Sequence, residues 1–78
     1  MTPAEAQSIS VQSSLLATVV YHRSESILVL EFRDGASYQY FDVPAEIYTG
    51  LLAAESKGSY FNSQIRDCFQ YLQVSRSR

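Results

Sequence analysis

From Val11 to Tyr40 the chain is rich in strand formers whose faces follow a period of two, and over residues 44–54 the apolar residues recur every three or four. Within residues 27–40, Ile-Leu-Val-Leu-Glu-Phe runs into Arg-Asp-Gly and out again through Ala-Ser-Tyr-Gln-Tyr. Two strand-forming runs about an acidic residue and a glycine are a strong local signal for a β-hairpin. Two loop lengths compete. A two-residue loop at Asp34-Gly35 would set Tyr38 and Tyr40 on the face of Glu31 and Val29. A three-residue loop, Arg33-Asp34-Gly35 with the glycine left-handed, pairs Phe32 with Ala36, Leu30 with Tyr38 and Leu28 with Tyr40. A slip of one residue sends a whole apolar set to the other face, and only the longer loop gathers these residues on one side, with Glu31, Ser37 and Gln39 opposite. The pattern therefore predicts the three-residue loop.

Upstream, residues 15–21 are dense in strand formers, with Leu15, Ala17, Val19 and Tyr21 on one face and Leu16, Thr18, Val20 and His22 on the other. Both faces are largely apolar, which predicts a strand covered on two sides and therefore central or curled into a partly closed sheet. After Tyr40 the period lengthens. Pro44 suits a first helical position and Glu46 suits the positive end of the helix dipole. Ile47, Leu51 and Ala54, flanked by Tyr48 and Leu52, form a stripe able to cover the tyrosine face of the sheet. Ser56-Lys57-Gly58 reads as the stop, with Gly58 as a left-handed cap. Ser59 is then the expected N-cap of a short second helix over residues 60–66, with Phe61 and Ile65 turned inward. Residues 69–74 alternate and predict a final strand. The expected fold is α+β: a small antiparallel β-meander packed against a helical pair, closed by that strand. Its core is expected to hold Leu28, Leu30, Phe32, Tyr38, Tyr40, Ile47, Leu51, Phe61 and Ile65. One domain spans 11–74, between a flexible leader at 1–10 and a flexible tail at 75–78.

A chain of 78 residues forms one domain whose core supplies only a few kcal/mol, which leaves little to stabilise a strained catalytic site. The single cysteine, Cys68, excludes an intramolecular disulfide, and with the single histidine, His22, it falls short of a structural zinc set. Beside Phe69, Cys68 reads as a small core hydrophobe. No apolar run approaches the roughly 20 residues of a membrane span, and the first residues lack a basic start and apolar core. A cytoplasmic monomer without cofactor or metal is expected. Net charge is −2, unevenly spread: residues 1–55 carry two positive and seven negative charges, residues 56–78 four positive and one negative. The basic last third points mildly to a polyanion.

Ser13-Ser14, Tyr21, Leu28-x-Leu30-x-Phe32, Gly35, Tyr38-Gln39-Tyr40, Val43-Pro44, Tyr48, Ser56-x-Gly58, Tyr60-Phe61-Asn62 and Ile65-Arg66 follow one another at spacings that resemble the KTSC domain. That module is named for its place at the C-terminus of some lysyl-tRNA synthetases and also occurs alone in bacteria. The resemblance spans residues 11–74 and implies RNA binding through the module's association with a tRNA synthetase. Where the family often has Tyr-Pro-Tyr after the second helix, this chain has Phe69-Gln70-Tyr71.

Candidate chemistry is sparse. Tyr38 and Tyr40 have the aromatic faces on which unpaired bases stack, but their expected neighbours Leu28, Leu30 and Phe32 favour core packing, and Tyr21 reads the same way. Lys57, Tyr60, Asn62 and Arg66 form a second cluster. On a helix Asn62 and Arg66 lie one turn apart and could hold phosphate. Asn62 serves equally as a local backbone cap, and Arg66 as an ion-pair partner for Asp67 or Glu55. His22 and Cys68 lack an orienting acid or a glycine elbow, so no enzyme is expected. Two functions follow. One is RNA binding, with Lys57, Arg66 and Arg76 on phosphates and Tyr60 or Tyr71 against a base. The other is a protein-interaction module using a strand edge or the helical surface. Basic side chains converging beside an exposed aromatic favour RNA; their dispersal favours protein.

Overall fold

A computed structural model describes residues 8–76 of the chain. Five strands form one antiparallel sheet in the order β1-β2-β3-β4-β5. They are β1 (Ser8–Ser10), β2 (Leu16–His22), β3 (Ile27–Phe32), β4 (Ala36–Tyr40) and β5 (Tyr71–Arg76), with helices α1 (Ala45–Ala53) and α2 (Lys57–Gln64) between β4 and β5. This is the α+β meander and helical pair that the residue pattern predicts. The chain enters the sheet earlier than the expected boundary at residue 11, because Ser8–Ser10 pairs with β2 as an extra edge strand. β5 runs on to Arg76. The rest of the expected leader and tail, residues 1–7 and 77–78, lies outside the described residues.

The hairpin has the expected register: Leu28 lies opposite Tyr40, Leu30 opposite Tyr38, and Glu31 opposite Ser37. Gly35 takes φ 97°, a conformation that costs an L side chain and suits glycine. Its N–H donates to Phe32 O at 3.0 Å, and Asp34 Oδ1 accepts from Ala36 N at 3.0 Å. These two bonds close the turn, while Arg33 N donates outside it to Leu15 O at 2.9 Å.

β2 departs from simple alternation. Leu16 pairs with Phe32 but Thr18 pairs with Glu31, so a bulge falls between them. An extra residue shifts the phase of a strand by one position, and Leu16 consequently lies buried on the same side as Val19 and Tyr21. One face of β2 then holds the core residues, while Thr18, Val20 and His22 stay half-buried on the other. β2 is central, as expected, lying between β1 and β3, but its core residues occupy one face only. The bulge, absent from a period-two reading, explains the two apolar faces. Ser13 sets up the entry to β2, its Oγ accepting from Leu15 N at 3.1 Å and Leu16 N at 3.2 Å. Arg33 pins the same loop from the hairpin tip by donating to Ser13 O and Val11 O.

The helices are offset from expectation. Pro44 is the N-cap of α1, which ends at Ala53, and Ala54 turns extended. Gly58 is not a left-handed cap but lies inside α2, where a Cβ would stand 3.7 Å from Leu15 Cβ. The true cap is Ser56, whose Oγ accepts from Ser59 N at 3.2 Å, so α2 begins earlier than a Ser59 cap would allow. Tyr48 and Leu51 of α1, Phe61 of α2 and Ile65 pack on Leu16, Val19, Tyr21, Leu28, Leu30 and Tyr40. Tyr21 stacks on Tyr48 with ring centroids 4.7 Å apart, and its hydroxyl donates to Val43 O at 2.6 Å. Phe32, Tyr38 and Ile47 of the expected core are half-buried against it. Cys68 is exposed, contrary to the core reading. The turn in which Cys68 N–H reaches Ile65 O carries Ile65 and Phe69 inward and leaves the thiol outside.

The two helices meet at Gly50. An added Cβ would fall within 2.8 Å of Tyr60 Cζ and closer still to its hydroxyl, which is held by a bond to Ile47 O at 3.2 Å. In an open helix, alanine for glycine would gain about 1 kcal/mol. Here overpacking should invert the sign, and Gly50→Ala is expected to cost about 1–3 kcal/mol in urea unfolding. The double variant Gly50→Ala, Tyr60→Leu should recover part of that loss.

Candidate functional site

Where α2 reaches the sheet, the inward positions of β4 and β5 build an aromatic wall. Tyr71 lies opposite Tyr40 in the β4–β5 register, so both rings fall on the helix side. Tyr71 is 5.5 Å from Tyr40 and 5.6 Å from Tyr38, centroid to centroid. Phe61 meets Tyr40 edge-on at 5.8 Å and Phe32 at 5.3 Å. Such edge and tilted contacts are favourable ring geometries. Tyr71 remains 57% exposed, whereas Tyr40 is 3% exposed. An open cleft of about 610 Å³ runs along this wall, and Asn62, Arg66, Asp67 and Asp34 give it its polar lining.

Burial pushes the Tyr40 phenol up to about 12, with Tyr38 and Tyr71 adding to the effect and Arg66 opposing it. In the unfolded chain the same phenol ionises near 10. Between those values the folded state holds a proton that the unfolded state has lost, so stability falls as pH rises through that window. Alkaline unfolding should begin near pH 10, and Tyr40→Phe should flatten this segment of the stability profile while leaving it unchanged below pH 9.

The six residues singled out from the sequence do not all converge. Asn62, Arg66 and Tyr71 line the cleft. Arg66 Nη1 donates to Asn62 Oδ1 at 3.4 Å, and among the described residues neither the expected ion pair with Asp67 or Glu55 nor a backbone cap by Asn62 is formed. Arg76 stands opposite Ala36 at the far end of the strand that begins with Tyr71. Lys57 is engaged elsewhere, its Nζ donating to Ala54 O at 3.0 Å and closing the turn between the helices. Tyr60 is half-buried with its hydroxyl on α1. The helix expected to begin after Lys57 includes it, and the bonds of Lys57 and Tyr60 hold both on the helix pair instead of the cleft. Tyr38 and Tyr40, expected in the core, and Asp67, expected only as an ion-pair partner of Arg66, also line the cleft; the hairpin register already puts both tyrosines on the face that the last strand completes.

The sequence pattern of the KTSC domain matches residues 12–71. A protein of Tsukamurella paurometabola is 42% identical over 60 residues, covering 77% of this chain and 90% of its own length. A protein of Stutzerimonas stutzeri is 43% identical over 54 residues, covering 69% of this chain and 76% of its own. A lysine–tRNA ligase of Nostoc sp. is 38% identical over 64 residues, 82% of this chain but 11% of that enzyme. The crystal structure of a KTSC domain protein from Yersinia pestis superposes with a TM-score of 0.86 at 28% identity, covering 90% of this chain and 99% of that one. With the pattern running from the loop before β2 to the first residue of β5, and the same fold in a KTSC structure, this chain belongs to the KTSC domain family.

Proposed function

We propose that this KTSC module binds single-stranded RNA weakly, with Tyr71 against a base, Arg66 on a phosphate, Asn62 on a base edge or sugar, and Arg76 further along the same strand. One observation carries the reading: a tyrosine ring 57% exposed on an aromatic wall shares a cleft with a guanidinium that has no acidic partner among the described residues. Bases of any identity stack on such a ring, and arginine meets phosphate in its fixed fork. Similarity to a segment of lysine–tRNA ligases supports the same direction. Because Lys57 is committed to Ala54 O, few phosphates are contacted and affinity is low.

The test is anisotropy of a labelled six-nucleotide oligouridylate at two salt concentrations. The slope of log affinity against log salt is about −0.7 for each neutralised phosphate, so Arg66→Ala should lessen the slope by about that amount. Absence of binding at low salt would overturn the reading. A second reading rests on Leu72 and Val74, 59% and 50% exposed, on the edge strand β5: a protein partner adds a strand there. Leu72 is paired with Gln39, away from the cleft face, so Leu72→Lys separates the two. RNA affinity is retained in that variant if the cleft is the site.

A further inference from the structure

We infer that the cleft prefers guanine over the other bases, with Asp67 as the specificity-determining residue; the inference rests on the RNA reading above. The cleft presents three chemistries at once: tyrosine faces, the Arg66 guanidinium and the Asp67 carboxylate. A carboxylate only accepts hydrogen bonds, and beside an RNA strand it repels phosphate. It is compatible with RNA where it meets donors on a base. The second acid, Asp34, is already occupied, its Oδ1 accepting from Ala36 N at 3.0 Å. Asp67 is exposed on the turn after α2, next to Arg66.

The Watson–Crick edges of the bases differ in what they offer such a group. Guanine carries two adjacent donors, N1–H and the N2 amino group, matched to the two oxygens of one carboxylate. Adenine and cytosine each offer one amino group beside a ring acceptor, and uracil offers one N3–H flanked by carbonyls. Unpaired strands expose these edges for reading. A guanine nucleotide also brings a flat ring for Tyr71 and a phosphate for Arg66, and so satisfies all three parts of the lining. An arginine side chain of a peptide has paired donors too, but it would bring a second guanidinium beside Arg66, and like charges oppose that.

The experiment titrates six-nucleotide oligouridylate and the same strand with one central guanine, adenine or cytosine, together with guanosine 5′-monophosphate and an arginine-rich peptide. Bidentate pairs discriminate between bases by about 5- to 150-fold, and in this open cleft the guanine strand should bind about 5- to 10-fold tighter than the other three. Guanosine monophosphate should bind more weakly than the guanine strand. Asp67→Asn, which replaces one acceptor with a donor, should abolish the preference while affinity for oligouridylate holds or rises, a pattern that loss of folding would not produce. Equal binding of all four strands, or a preference unchanged in Asp67→Asn, overturns the guanine assignment and leaves RNA binding standing. Absence of binding by every strand overturns both. Displacement of the guanine strand by the peptide, with peptide binding lost in Asp67→Asn, assigns the cleft to a basic side chain and also overturns it. Monophosphate binding as tight as the strand overturns the RNA-strand reading and supports the guanine assignment.

Discussion

Leu30→Ala is expected to remove about 2–5 kcal/mol of stability, the cost of truncating a fully enclosed leucine. Leu30 is 0% exposed and sits in the central strand β3, opposite Val19 on one side and Tyr38 on the other. A domain of this size has roughly 3–5 kcal/mol in hand from a single core, so the variant should be largely unfolded at 25 °C, with its far-ultraviolet circular dichroism reduced before any urea is added. Leu72→Ala is the matched control. With Leu72 59% exposed, the same chemical change should shift stability by no more than about 0.5 kcal/mol. Equal losses in the two variants would contradict the assignment of the sheet's faces.

The second large effect concerns binding. Tyr71→Ala should weaken the RNA strand by about 1–3 kcal/mol, the measured range for removing one base-stacking aromatic. Tyr71→Phe should bind nearly as well as the parent, because the ring and not the hydroxyl makes the contact. The stability cost of Tyr71→Ala should be modest, since the ring touches Tyr38 and Tyr40 but stays 57% exposed. Melting and anisotropy measured on one preparation separate these. A fall in affinity matched by an equal fall in Tyr71→Phe would point to the hydroxyl and away from stacking.

Much of the fold could be read directly from residue order. The hairpin register followed from the demand that Leu28, Leu30 and Phe32 share a face with Tyr38 and Tyr40, a two-valued choice in which one answer buries tyrosines with leucines. What escaped was phase and capping. The bulge between Leu16 and Thr18 leaves no mark in composition, since Leu-Ala-Thr reads the same with or without it. Ser56 and Ser59 are equally good caps by residue type, and only the bond from Ser59 N to Ser56 Oγ decides between them. Neither cap choice reveals the bonds from Lys57 to Ala54 O and from Tyr60 to Ile47 O that take these residues out of the candidate site. Cys68 was misplaced because a turn, not a strand or helix, determines which of Cys68 and Phe69 faces the core. The cleft depends on β5 returning beside β4, a long-range pairing that local pattern does not specify, so Asp67 and Tyr71 came together only in three dimensions.

The most direct test follows backbone amide shifts of the intact protein as a guanine-containing six-nucleotide strand is added at low salt. Shifts are expected to gather at Tyr38, Tyr40, Asn62, Arg66, Asp67 and Tyr71, to diminish as salt is raised and to be lost in Tyr71→Ala. Shifts confined to Val20, Val29, Gln39 and Leu72 on the opposite face of the sheet, or none at all, would contradict that expectation.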